Sequence, residues 1–539
     1  MDGQLKQELV DLTKAVLATF TKEYTKAYTI ELVKKASKDS QKEPKPWQLE
    51  KRKDKDTSDR FTGHLTKEGV VRKSWKKRYF IVKHDYSVEY YENEAKLIKP
   101  KGVMNLAGYR VETDPNRGIM QRLKVLAEKM KIDLSAIPKP KEYPPLTIEL
   151  YHSYRRIYYL TADSQKEFDD WVEIFQGCCR NAWGFKNRDK VHVAAFGVAV
   201  RNTRWSLGRW GWWGWGGSET QVLCDIIADE VEYDILGRAL CGLPNVPYFI
   251  RNFMRNKLMT LIDGIISSAV SPAWIAMDKT VGEVRPQAEP KIKDQIEPIA
   301  KLQHEMLVKM KDSVMGVLEP ALREHVTPHL AKIVGKEVQD PIEGGFGKAL
   351  TIWDDKVSEY KGEGNDKSFA ELRRYPHYYW PMEPAQKHIW GMYDFLTTLY
   401  NVFPDFWAST ITYHIRGKIV TISDNACYTF EKDVKENGAS LDLAASKTRT
   451  QEKLFHDANI QQRRQIHYVV RSVIKPTLMK IVNPLVKPIL STLQAVIPQS
   501  MTDFFDMDDM FNQIVDGVLA DATDAAMGVE HIHVNQQQE

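Results

Sequence analysis

Apolar side chains in residues 4–36 recur at three- and four-residue steps, through Leu5, Leu9, Leu12, Val16, Phe20, Tyr24 and Ala27, with lysines and glutamates opposite. That period predicts an amphipathic helix. One apolar stripe on an N-terminal helix has to dock on something, and a helical body later in the chain is the expected surface. Residues 37–56 turn polar and lysine-rich around Pro44 and Pro46, which reads as a linker. The period then switches to two. Phe61, Gly63 and Leu65 alternate, as do Trp75, Tyr79 and Ile81, predicting two half-buried strands joined by a basic loop. Further strands are expected at 87–91, 102–106, 146–150 and 156–160. An insertion over 115–145 contains a short helix at 123–130 and a proline-rich exit. Ser164 and Glu167 have the spacing of a capping box. Phe168, Trp171, Val172 and Phe175 then line one face of the helix that follows.

Beyond residue 181 the strand signals vanish. Helical patterns occupy 189–207 and 219–240, separated by a run in which Trp210, Trp212, Trp213 and Trp215 interleave with glycines. Glycine costs about 1 kcal/mol at each helix-interior site, so this run is expected to be a loop. Arg204 and Arg209 stand at its base. Residues 246–345 carry Glu-Pro and Thr-Pro steps, and each proline disfavours helix at the residue before it, so shorter or kinked helices are expected there. Met306, Met310, Val314, Val317 and Leu318 form a stripe with the pattern of a core seam, and the glycines at 344, 345 and 347 end the block. Helices follow at 384–400, 405–437 and 450–483, after an aromatic cluster at 375–381 and before an acidic-aromatic run at 503–509. The apolar stretch 258–277 contains Asp263 and Pro272 and has charged flanks, which predicts a buried amphipathic helix rather than a membrane span.

Length and charge narrow this picture. At 539 residues, two to four domains are expected. With 43% hydrophobic and 27% charged residues the chain is an ordinary globular protein. The net charge of +4 is small, so a general nucleic-acid binder is not favoured. Basic character is local: Lys67, Arg72, Lys73, Lys76, Lys77, Arg78 and Lys83 crowd the first hairpin against one acid, Glu68. Such a cluster repels itself unless an anion is usually nearby. Five cysteines without a CxxC spacing point to reduced thiols and a cytoplasmic setting. No leader pattern opens the sequence, and Gly3 is not placed for myristoylation.

A series of short antiparallel strands ending in one amphipathic helix with a central tryptophan resembles a pleckstrin-homology (PH) domain. The resemblance is carried by Gly63, His64, Leu65, Thr66 and Lys67, by Trp75, Lys76, Lys77, Arg78, Tyr79 and Phe80, and by Trp171. It implies a phosphoinositide headgroup over the first loop, held by a Lys-xn-Lys/Arg-x-Arg pattern that Lys67, Lys76 and Arg78 fill, with Arg72 and Lys73 in the loop between. Residues two apart on a strand share a face, so Lys76 and Arg78 project together. An arginine fork beside lysine point charges suits a multiply charged phosphate. The tryptophan-glycine run, Trp210 to Trp215, has the composition of an interfacial membrane or partner anchor.

Combined with the helical remainder, the chain is similar to the Niban family. Tyr413, His414, Ile415 and Arg416 with the stretch 424–431, Tyr90 to Asn93 with Asn105 to Tyr109, and Phe20 to Tyr24 carry this second resemblance. It implies a non-enzymatic adaptor or regulator in the cytoplasm and at membranes. The expected architecture is α+β and multidomain. An N-terminal helix occupies 1–45, a PH-like barrel with a C-terminal helix 57–181, an all-helical domain on which the first helix docks 185–530, and a polar tail 531–539. No catalytic signature is found: Gly347 and Lys348 lack the rest of a P-loop, His304 and Glu305 lack a second zinc-spaced histidine, and Asp506 and Asp508 lack an EF-hand glycine. No cofactor, metal site or nucleic-acid partner is expected. Two classes remain: a membrane-recruited adaptor binding anionic phosphoinositide lipid and protein partners, and a structural assembly protein, cytoskeletal or ciliary, docking through the PH module and the tryptophan-rich loop.

Overall fold

The computed structural model describes residues 3–41, 46–52, 59–69, 74–129, 133, 141–152, 155–182, 188–210, 217–236, 248–360, 366–437 and 442–528. The chain forms two compact units, one of residues 1–32, 55–207 and 214–290, the other of 33–54, 208–213 and 291–539. These units interleave segments that a linear division of the sequence keeps apart.

In the first unit, β1 (Phe61–Glu68), β2 (Trp75–Val82), β3 (Val88–Tyr91), β4 (Gly102–Met104), β5 (Arg110–Glu112), β6 (Thr147–Tyr151) and β7 (Tyr158–Thr161) make one antiparallel sheet ordered β4-β3-β2-β1-β7-β6-β5. Leu65, Phe80, Val88, Met104, Val111, Ile148, Leu150 and Leu160 point into one core, so the sheet wraps into a barrel. The helix Gln165–Asn181 fills its open side with Trp171 and Phe175. Ser164 caps that helix by accepting from the Glu167 amide at 3.2 Å, while the Glu167 carboxylate turns back to the Asp163 amide rather than to Ser164.

One strand face departs from the expected alternation. Trp75, Tyr79 and Ile81 lie on the outer side of β2, where Tyr79 and Ile81 pack with Tyr91; the inner face is Lys76, Arg78, Phe80 and Val82. The second half of β2 is apolar on both faces, which masks the period. The short strand β5 was not part of the expected set.

The insertion folds as α2 (Pro115–Lys129; α1 is Gly3–Gln41) and a returning segment 141–146 against the outer sheet face. Arg122 of α2 bonds the fully buried Glu149 at 2.6 Å, Tyr159 donates to the same carboxylate at 2.9 Å, and Tyr143 stacks on Tyr159 at 4.0 Å. After α3 (Gln165–Asn181) come α4 (Lys190–Ser206) and α5 (Glu219–Glu230), the latter opened by a full capping box between Ser218 and Gln221.

The N-terminal helix docks as expected. Phe20 and Tyr24 of α1 pack on Phe196 and Trp274, and the Tyr24 hydroxyl meets His192 Nδ1 at 2.7 Å. His192 Nε2 lies 3.1 Å from Glu219. Burial works against ionisation of Glu219, but hydrogen bonds from His192, from the residue's own backbone amide and from Arg188 hold its carboxyl at about 2.

A single helix, α6, runs unbroken from Tyr248 to His325 through Pro272, Pro286, Pro290, Pro298 and Pro320. Shorter pieces were expected there. All five prolines are exposed, so the carbonyls they leave without an amide partner face water, while Met259, Ile262, Ile266, Val270, Trp274 and Met277 continue a buried stripe along the same helix. Packing outweighs local propensity.

In the second unit, Met306, Met310, Val314 and Leu318 bury as the expected seam. Then follow α7 (Thr327–Ile333), α8 (Lys336–Ser358), α9 (Asp366–Arg374), α10 (Tyr379–Thr398), α11 (Ala408–Asn437), α12 (Leu443–Gln494) and α13 (Met507–Ala526). Gly344 and Gly345 do not end a helix. They sit inside α8, where a Cβ would meet the His388 ring at 2.7 Å or Ile389 Cδ1 at 2.8 Å of α10, so they let two helices approach closely. The polar segment 46–52, expected to be linker, is strapped down. Gln48 and Leu49 donate backbone N–H to Asp457 at 2.9 and 3.0 Å, and Arg52 pairs with Asp424 at 3.0 Å. A strap whose partners are carboxylates is polar in composition, as a loose linker would be. Among the described residues no helix is long and apolar enough to cross a membrane.

Candidate functional site at the barrel mouth

Strand register brings residues 68–69 and 74–75, the loop 92–101, and residues 151–152 and 155–158 to one end of the barrel. Glu68 faces Trp75, Tyr79 faces Tyr91, and Lys67 faces Leu160, so β1 ends, β3 ends and β7 begins at the same rim. Lys67 lies opposite Lys76, and Arg78 opposite the core residue Leu65. All three cations therefore stand on the inner face, at the mouth.

Lys67 is only 7% exposed. Its ammonium donates to the Glu68 carbonyl at 3.2 Å and lies 5.0 and 5.7 Å from the ring centres of Tyr90 and Tyr158. Among the described residues no carboxylate comes within ion-pair reach of it. Burial, with the charges of Arg156 and Arg78 acting in the same sense, pushes it down to about 8. Tyr90 crosses the mouth over Gly102, where any Cβ would collide with the tyrosine hydroxyl. Arg156 stacks over Tyr158 at 4.6 Å and is exposed. Lys76 is exposed, and Arg78 is half-buried with Nη1 on the Lys77 carbonyl at 3.1 Å. The mouth is thus a cationic cup with a tyrosine wall, suited to an oxyanion that accepts several hydrogen bonds at once.

Of the residues named from sequence, Lys67, Lys76 and Arg78 come together here. Arg72, Lys73, Trp212, Trp213 and Trp215 lie outside the described residues. Trp210 follows α4 as a half-buried side chain. Two of the hairpin's cations are committed locally: Lys77 to Asp163 at 2.7 Å, and Lys83 to Asp59 at 3.1 Å and Glu89 at 3.5 Å. Arg204 is paired with Asp229 at 3.8 Å. Arg156, Tyr90 and Tyr158 were not among the site residues expected from the sequence. Counting back in twos from the apolar Leu160 places Tyr158 on the inner face, which is the signal that could have found it.

The residue next to Arg156 faces another way. Arg155 donates through Nη2 to both oxygens of Asp225 on α5, at 3.2 and 3.0 Å, and through Nη1 to the Ala107 carbonyl at 3.2 Å. His152 reaches the same carboxylate at 3.5 Å. The mouth-end loop is clamped to the helices of its own unit.

An antiparallel barrel closed by one helix, with a basic mouth at its first hairpin, defines a PH domain, here continued by a large helical body. A family model described as "Protein Niban 2-like, PH domain" matches residues 59–182. A PH domain-containing protein of Dictyostelium discoideum is 50% identical over 524 residues, spanning 97% of this chain and 98% of that protein. Human Protein Niban 2 is 23% identical over 553 residues, 96% of this chain and 71% of the relative. The crystal structure of human FAM129B/MINERVA/NIBAN2 has the same fold, with a TM-score of 0.78 at 21% identity over 97% of this chain and 98% of that one. The chain belongs to the Niban-like family of PH-domain proteins.

Proposed function

We propose that this protein is a non-enzymatic, membrane-associated adaptor of the cytoplasm whose PH mouth binds the phosphorylated headgroup of a phosphoinositide and whose helical body presents surfaces to protein partners. The observation that carries this reading is Lys67. A buried ammonium without a carboxylate partner among the described residues is costly, and a phosphate seated between it, Lys76, Arg78 and Arg156 would compensate the charge. Binding of such headgroups is common among PH domains, and the geometry here supplies the donors for it. Partner binding by the helical body rests on the family relationship alone.

The test is co-sedimentation of the full chain with phosphatidylcholine vesicles containing phosphoinositide, alongside titration calorimetry with a soluble inositol polyphosphate. Binding is expected in both, weakening as salt is raised, and lost in the double variant Lys76→Ala, Arg78→Ala. Equal binding by the double variant, or none by the wild type, overturns the reading. It would turn attention to protein docking by the same module.

A further inference from the structure

The loop 92–101, between β3 and β4, carries an apolar pair that the barrel core does not use. Leu97 is 44% exposed and Ile98 99% exposed. They stand in the sequence Lys96, Leu97, Ile98, Lys99, Pro100, Lys101. Single exposed aliphatic residues are common on proteins and mean little. This pair differs in its place and its company. Lys101 donates its amide to the Tyr90 carbonyl at 2.8 Å, and Tyr90 pairs with Gly102, so the loop leaves the sheet at the rim of the cationic mouth. Three lysines bracket the pair. Lys96 and Lys101 reach Glu92 only at 3.7 and 3.9 Å, as half-exposed or exposed contacts that water and salt screen, and Glu94 precedes the tip.

An apolar tip flanked by lysines has two requirements that one surface meets. Its aliphatic groups gain about 25 cal/mol for each Å² removed from water. Its ammonium groups gain from anionic phosphates near the same plane. A protein partner or a second copy of the chain would need a contact of roughly 800 Å² on each side, far more than two side chains supply. The boundary between headgroups and acyl chains of an anionic bilayer needs no such area.

We propose that Leu97 and Ile98 form a membrane-inserting tip, seated by Lys96, Lys99 and Lys101, that contacts an anionic bilayer beside the headgroup mouth and independently of which headgroup fills it. The inference rests on the reading that the mouth end of the barrel faces lipid. It does not depend on the chemistry of the cup.

Two readouts separate the tip from the cup. The full chain, wild type and with Leu97→Ser, Ile98→Ser, is floated with phosphatidylcholine vesicles containing phosphatidylserine, with and without phosphoinositide, and is titrated with soluble inositol polyphosphate. The double variant is expected to lose about tenfold or more in affinity for both kinds of vesicle while its affinity for the soluble headgroup is unchanged. Its residual vesicle binding is expected to vanish at high salt, where the wild type keeps an apolar share. Ile98→Trp is expected to bind vesicles more tightly than the wild type. Soluble headgroup binding together with undiminished flotation of the serine variant overturns the tip and leaves the cup standing. Absent headgroup binding with flotation that depends on Leu97 and Ile98 overturns the cup and supports the tip. A variant that floats normally but changes its mass in solution by light scattering overturns the tip in favour of self-association.

Discussion

Lys67 holds a cation where the neighbouring inward positions hold hydrocarbon, Leu65 on its own strand and Leu160 across from it. Its folded-state value near 8, against an ordinary 10.5, means that the ligand-free protein sheds this proton earlier than the unfolded chain does. The penalty of the buried charge is present below about pH 8 and is relieved as the pH rises toward 10.5, so this residue contributes a stability that grows across that window. Anion binding runs the other way, because a phosphate favours the protonated form. Calorimetry in buffers of different ionisation heats should show proton uptake on binding inositol polyphosphate near pH 8, with affinity falling as the pH is raised further. Lys67→Met should abolish the uptake; persistence would assign the proton to another group. This residue was legible from the hairpin pattern as a cation, but its burial was not. The two-residue period from Leu65 already turns Lys67 inward; that Tyr90 and Tyr158 cover it there depends on strands far away in the sequence.

At the scale of an element, α6 shows how far packing overrides local preference. A helix-interior proline costs roughly 3 kcal/mol relative to alanine in isolation, yet five occur in one continuous helix because each faces water. Pro298→Ala would restore an amide that can donate to the Asp294 carbonyl, with no buried neighbour displaced. The expected result is a higher thermal unfolding midpoint, corresponding to roughly 1–3 kcal/mol. A lower midpoint would mean that the proline ring itself is needed at this position. The proline steps were visible in the sequence and suggested interruptions. The stripe from Met259 through Leu318 carried the stronger information, since burial is a cooperative gain over many turns and each proline is a local loss.

For the molecule as a whole, the informative contact within the first unit is the Arg155 clamp on Asp225, one residue from the mouth. Arg155→Ala removes two hydrogen bonds from a buried carboxylate and leaves it His152 at 3.5 Å. Removing one member of such a pair is costly, because the remaining charge stays buried. Faster amide exchange is therefore expected in residues 147–161 and 219–230, measured by hydrogen-deuterium exchange, with soluble headgroup binding by the adjoining Arg156 little changed. Unaltered exchange would show that the barrel is held to α5 by apolar packing instead. If headgroup binding also fell, the clamp would be positioning the mouth and not merely anchoring the module.

Periodicity and turn chemistry along the chain encode the strand-rich module, its closing helix on Trp171, the docking helix at the N-terminus, the helical remainder, and the shared face of Lys76 and Arg78. These follow from spacing along the chain, which local geometry converts directly into shared faces. Long-range packing settles which face of β2 turns inward, that the strap 46–52 is bound, that Gly344 and Gly345 bring two helices together, and that Arg156 and Tyr90 stand beside Lys67 at the rim from which the loop 92–101 leaves the sheet. Those facts depend on partners far away in sequence, and a side chain's burial and pairing are properties of what packs against it.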